Sequence, residues 1–288
     1  MDRRAFVQRM SAAAAVLVAH QALPAVVGRP KRAAGDDEPL IRALRLLTAA
    51  PLPALRRFYH ERIGFPVLAE QADEIVFAAG TTRLTFVQAQ PEQIRGDGGR
   101  GNGEPFYHFA FNIPQNKILA ARAWQLERTQ LVPTPENLRD PAYPNDVRHF
   151  RNWNAHSVFF FDPAFNIVEY IARHDLPNDA PDPARFSTAD ILYASEIGYV
   201  FAPEQQAAAT RMLNERLGLG TYPAGATPWW AMGNERGLLL CLARKGEIWG
   251  ENTSTPVRWD VFPTEATIRG KESGLHAFDG FPYQVRVV

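Results

Sequence analysis

Two stretches decide the fold: "APLPALRRFYHERIGF" (residues 50–65) and "APEQQAAATRMLNERLGL" (residues 202–219). Each opens Ala-Pro and continues with apolar residues at helical spacing. Each closes Glu-Arg-(Ile/Leu)-Gly-(Phe/Leu), where Gly64 and Gly218 suit the position just past a helix end that needs a positive φ. A strand-like run precedes each: "LIRALRLLTA" and "LYASEIGYVF". Short strand candidates follow: "EIVFAAG" and "TRLTFVQA" after the first, "PWWAMGN" and "RGLLLCLAR" after the second. The unit is strand, helix, then about three strands, and it repeats.

A third copy lies between these two. "PFYHFAFNIP" reads as its first strand and "QNKILAARAWQLERT" as its helix. "HSVFFFDP" and "NIVEYIAR" read as two strands joined by an Asp-Pro turn. The tail gives a degenerate fourth, with "PVRWDVFP" as its first strand, a helix reduced to "TEATIRGKESG", and a closing "HAFDGFPYQVRVV". Residues 91–105 are a Gly-rich linker, and the Pro- and Asp-rich residues 174–187 mark the domain boundary. The expectation is one domain over residues 40–175 and a second, degenerate one over residues 188–288.

The chain has 288 residues, 46% of them hydrophobic, enough for two cores. Its 31 basic and 31 acidic side chains cancel, and no basic block occurs in the body of the chain, which argues against nucleic acid as a partner. The one cysteine, Cys241, sits in the apolar run "GLLLCLAR" and reads as core. Residues 1–25 have a basic start, with Arg3-Arg4 before Ala5-Phe6-Val7, then a short Ala-rich apolar run ending in a small residue. That layout resembles a twin-arginine export signal, so the mature protein is expected to be periplasmic or secreted. Residues 26–39 read as a flexible lead-in, and no segment is suited to a stable membrane span.

One carboxylate stands out. Glu169 interrupts the apolar run "NIVEYIAR", where an unpaired charge would cost several kcal/mol. Paired βαβββ units, a helix ending "FYxxxxGF" and a hairpin "FxDPxxNxxE" together resemble the vicinal oxygen chelate superfamily. That group includes glyoxalase I, fosfomycin-resistance proteins, extradiol dioxygenases and bleomycin-binding proteins. The resemblance implies an α+β fold in which paired βαβββ modules form two cupped mixed sheets.

It also implies a site. In metal-dependent members the ligands come from the first strands of two paired units and from a Glu near the end of one last strand. Similarity places His108 and Glu169 at two of these positions, with Glu169 also the candidate catalytic carboxylate. The remaining position falls near Leu44, which cannot bind a metal. Three resolutions stay open. Glu196 in "ASEIGY" supplies the ligand if the units pair in swapped fashion, as in dimeric members. Alternatively His156 enters the cup, or no metal binds, as in the bleomycin-binding branch. The bland reading of Glu196 is a carboxylate paired with an Arg.

Tyr107, Trp153 and His156 are the candidate pocket residues, while His60 and His149 read as surface residues. A neutral imidazole with carboxylates suits Zn, Fe(II), Mn or Ni. The implied partners are a small oxygen-bearing substrate and, in a homodimer, a second copy of the chain. The implied activity is that of a metal-dependent lyase, isomerase or dioxygenase, or else metal-free sequestration of a small molecule.

Overall fold

The structure, a computed structural model, describes residues 38–94, 104–223, 231–243, 261–270 and 272–288. The export segment, Trp229, Trp230 and most of "PVRWDVFP" lie outside the described residues. Fourteen strands are described, and they form two seven-stranded mixed sheets.

The first module runs β1 (Ile41–Thr48), α1 (Leu52–Arg56) with a wider π-helical continuation (Arg57–Ile63), β2 (Val67–Glu70), β3 (Glu74–Ala79) and β4 (Thr82–Gln88). The second runs β5 (His108–Ile113), α2 (Ile118–Leu126), β6 (Arg148–Phe150), β7 (Ala155–Phe161) and β8 (Ile167–Arg173). The third runs β9 (Tyr193–Phe201), α3 (Gln206–Leu217), β10 (Ala231–Asn234) and β11 (Gly237–Ala243). The fourth is β12 (Thr264–Ile268), β13 (Gly274–Ala277) and β14 (Tyr283–Val287).

The repeated helix ends behave alike. Gly64 (φ 95°) and Gly218 (φ 67°) both take the left-handed conformation that stops the helix. The fourth module departs from expectation. Residues 264–268 form its first strand, not a helix, because "TEATI" alternates buried and exposed side chains with the period of two that a sheet rewards.

The modules pair through their first strands. The sheet orders are β13-β14-β12-β1-β4-β3-β2 and β10-β11-β9-β5-β8-β7-β6. The first module therefore shares a sheet with the fourth, and the second with the third. The expected grouping of residues 40–175 against 188–288 is corrected at this point. The second and third modules are neighbours through their first strands, with β5 and β9 antiparallel. The first and last modules then close on each other through antiparallel β1 and β12. Residue 44 is also reassigned: Leu44 is fully buried core, opposite Leu84 and Ala266.

The two motifs behind the family resemblance touch each other. Tyr59, from the helix-end motif, donates its hydroxyl to Asp162 Oδ2 at 2.8 Å. The same carboxylate accepts from Asn166 Nδ2 at 2.8 Å, and from the backbone N–H groups of Ala164 and Asn166 at 2.9 Å each. The turn turns back through Phe165, whose φ of 61° is left-handed. Asn166 Oδ1 accepts the Tyr107 N–H at 2.8 Å. That bond locks the start of β5 beside the start of β8 and fixes the register that sets Ala110 opposite Glu169. Cys241 is buried core as expected, its thiol pushed up to about 12 by burial.

Candidate metal centre

Directly opposed residues of neighbouring strands project to one face. Ala110 of β5 stands opposite both Glu169 of β8 and Glu196 of β9. With a period of two, His108 shares that face. The β5–β9 register shifts between Ala110 and Phe111, so Tyr193 and Glu196, three residues apart, each stand opposite a residue of the same face. The swapped pairing considered from the sequence is the one that assembles the site, and it does so within a single chain.

All three candidate ligands are buried to within 1%. His108 Nε2 lies 3.5 Å from Glu169 Oε2 and 3.6 Å from Glu196 Oε2. His108 Nδ1 meets the Ile167 carbonyl at 3.1 Å. A carbonyl only accepts, so Nδ1 carries the proton, and in the neutral imidazole Nε2 offers its lone pair to the cup. His108 Nε2 and both Glu169 oxygens are buried and make no hydrogen bond to described residues. A lone pair facing two carboxylates is a poor arrangement unless a proton or cation sits among them.

The geometry fits a cation. Two ligand atoms each about 2.1 Å from one ion lie roughly 3.4 Å apart at the tetrahedral angle. The candidate ligand atoms all lie within 4.8 Å of one another. Arg173 donates to Glu196 Oε1, which leaves Oε2 turned toward His108. The bland expectation that Glu196 pairs with an Arg is thus also met, and the partner orients the ligand.

Two arginines that sequence reading passed over complete the cup. Arg173 follows Glu169 by four residues on β8 and so shares its face. Arg148 stands opposite Ser157, which stands opposite Ile171, placing it on that face too. Both are fully buried. The Arg173 guanidinium lies 5.3 Å from the Trp153 ring centre, and that of Arg148 lies 4.6 Å from the Phe159 ring centre. Trp153 thus packs beside the guanidinium that holds Glu196.

The charges are coupled. Burial, then the neighbouring Glu196, holds the Glu169 carboxyl well above the ordinary carboxylate range, while Ser157, Arg173 and Arg148 pull the other way. Burial brings Arg148 down to about 10, with Glu169 opposing. For Arg173 burial also disfavours the ion, but Glu196, Tyr222 and Glu169 outweigh it and the net direction is up.

A raised carboxyl pKa binds more protons in the folded than in the unfolded chain, so stability falls as pH rises through that interval. In chelator-treated protein, Glu169→Gln should remove this penalty. The melting temperature of Glu169→Gln minus that of wild type should be larger at pH 7.5 than at pH 5. A difference that shrinks with pH would contradict the assignment.

Two expected pocket residues lie elsewhere. Tyr107 bridges the two sheets: its hydroxyl donates to the Pro263 carbonyl at 2.9 Å and accepts the Leu47 N–H at 3.1 Å. It is structural because those buried backbone groups need a partner. His156 stands opposite Ala172, one residue out of step with the Glu169 set, and so projects to the other face. There it joins His149, Asp140 and His174. His149, read as a surface residue, is half-buried in that group. Among the described residues, the sheet holding the first and fourth modules carries no group of three such ligands.

The two seven-stranded mixed sheets built from paired modules are the α+β arrangement that the resemblance implied. Among solved structures, the chain is similar to a glyoxalase I mutant from Zea mays (11% identity over 86% of this chain and 91% of that one, TM-score 0.45). It is also similar to the cppA protein of Streptococcus pneumoniae (10% identity, 86% and 99% covered, TM-score 0.43). A lactoylglutathione lyase from Agrobacterium tumefaciens matches at 19% identity over 46% of this chain and 91% of that one, with a TM-score of 0.32. No family model matches the sequence, and no curated protein matches it. These likenesses concern fold alone.

Proposed function

We propose that the chain is a member of the vicinal oxygen chelate superfamily whose second and third modules hold one divalent metal through His108, Glu169 and Glu196. The observation that carries this is the lone pair of His108 Nε2, buried and aimed between two carboxylates at 3.5 and 3.6 Å. Imidazole with two carboxylates suits Zn, Fe(II), Mn or Ni. When bound, such an ion polarises a substrate's oxygens as a Lewis acid.

The chain's own residues supply the rest. Glu169, the carboxylate that stands with His108 in the cup and carries no hydrogen-bond partner among the described residues, is the group that would take a proton from carbon beside a polarised carbonyl and return it. Arg173 holds Glu196 in place through an ion pair. Trp153 and Phe159 pack against the two guanidinium groups and keep water from them. Glu169 and Glu196 already balance Arg148 and Arg173. Adding a dication leaves the cup positive, which selects a small substrate whose oxygens are anionic or become so. The activity is that of a lyase, isomerase or dioxygenase on such a molecule.

Acetohydroxamate, a bidentate oxygen ligand, is a direct probe. Added to cobalt-loaded protein, it should shift the visible absorption of the ion, and Glu196→Gln should abolish the shift. An unchanged spectrum in the wild type would remove the oxygen-chelating role. The same charge balance also supports a metal-free reading, in which the cup sequesters a small molecule without reaction, and the cobalt experiment separates the two.

The protein is further proposed to be exported, on the strength of Arg3-Arg4 and the Ala-rich run after them. Replacing both arginines by lysine should retain uncleaved precursor in the cytoplasm. N-terminal sequencing that finds Met1 on the exported wild-type protein would rule out cleavage near residue 25.

A further inference from the structure

We infer that Asp140, His149 and His156 form a second transition-metal site, on the opposite face of the sheet from the first, with His174 as its outer partner. His149 of β6 stands directly opposite His156 of β7, so their rings share a face, with centroids 4.4 Å apart and planes 8° from parallel; because imidazole lone pairs lie in the ring plane, His149 must turn about its Cβ–Cγ bond to share an ion with His156. Arg139 bridges to Arg148 across the sheet edge, which delivers the next residue, Asp140, to the same two rings. Asp140 Oδ2 lies 3.1 Å from His156 Nε2 and 3.6 Å from His149 Nδ1. One ligand atom from each of the three residues lies within 4.8 Å of the others.

With no ion present, His156 Nε2 donates to Asp140 Oδ2, since a carboxylate only accepts, and His156 Nδ1 accepts from His174 Nε2 at 2.8 Å. An ion at Nε2 would shift the His156 proton to Nδ1 and the His174 proton to its own Nδ1, so that His174 Nε2 becomes the acceptor. The His156 ring is held from its other side by Tyr143, stacked at 4.0 Å. Neutral imidazole is the ligand form, and two nitrogens with one carboxylate favour zinc, nickel or copper over magnesium or calcium. The ion would tie the 139–143 loop to edge strand β6, so its role is to brace the sheet.

The site is independent of the cup, and its test keeps them apart. Full-length protein stripped by chelator and titrated with Zn²⁺ should bind two ions. His149→Ala and Asp140→Asn should each remove one, leaving the ion that depends on His108. His174→Ala should weaken the second ion about 10–100-fold without removing the first. Mg²⁺ should not compete for it. Circular dichroism identifies any variant that has simply unfolded, and Asp140→Asn, nearly isosteric, stands in where His149→Ala does. Two ions still bound by both His149→Ala and Asp140→Asn, or one ion in wild type that vanishes only with His108→Ala, would overturn the site.

Discussion

Replacing His108 by alanine should abolish metal binding in the cup. The loss should exceed the roughly 10–100-fold that a missing outer partner costs, because a donor atom itself disappears. His108 is the only nitrogen of the triad, and the Ile167 carbonyl has already turned its Nε2 lone pair inward. Zinc affinity measured by competition with a chromophoric chelator checks this. Affinity should also fall as pH drops, because protons compete with the ion for the donor atoms. Wild-type affinity in His108→Ala would mean that the carboxylates alone hold the ion, or that it sits elsewhere. Ser157→Ala, which leaves all three donor atoms intact, should change affinity far less.

The second large effect is on stability. Asp162→Ala should cost about 3–5 kcal/mol, since it removes one buried acceptor and strands four donors. Those donors are the Tyr59 hydroxyl, Asn166 Nδ2 and the N–H groups of Ala164 and Asn166. Tyr59→Phe, which removes a single donor, should cost about 1 kcal/mol. Burial pushes the Asp162 carboxyl up to about 6, against the pull of the bonds it accepts. The folded form therefore keeps a proton that the unfolded form releases, and stability should decline from about pH 4 to about pH 6 on this account. Asp162→Ala should lose that slope. Urea denaturation at pH 4.5 and 7 measures both effects. A variant within 1 kcal/mol of wild type would show that the turn does not hold β5 and β8 in register.

Much of the fold was legible because its signals are local. Gly64 and Gly218 announce their helix ends, and near-continuous apolar runs announce β3, β5, β8 and β9. The Asp-Pro turn with Asn166 announces a hairpin, and the resemblance supplied the module. Partner choice was not local. Nothing in the apolar character of β1 and β5 says which pairs with β9 and which with β12. That depends on how four modules close in space. In the tail the misreading of "TEATI" as helix had a cause of the same kind: a five-residue run alternates too briefly to announce itself, and pairing with β1 makes it a strand.

The site divides along similar lines. Glu169 was visible because a carboxylate in an apolar strand demands a partner, and His108 and Glu196 came through the resemblance. Arg173 was within reach, since the period that places Glu169 in the cup places the residue four later there too. The position of His156 was also within reach. Pairing Phe161 with Ile167 across the turn sets His156 opposite Ala172, which is out of step with Glu169. Arg148 was not within reach. It lies on a three-residue strand behind an irregular loop, and only tertiary packing brings it to the cup.

The central claim is that the second and third modules hold one divalent ion among His108, Glu169 and Glu196. Anomalous diffraction at the zinc edge, from crystals of the full chain grown with Zn²⁺, tests it most directly. The account predicts an anomalous peak about 2.1 Å from His108 Nε2 and from one oxygen each of Glu169 and Glu196. A map with no peak among these three side chains, at zinc concentrations that fill ordinary protein sites, would contradict it.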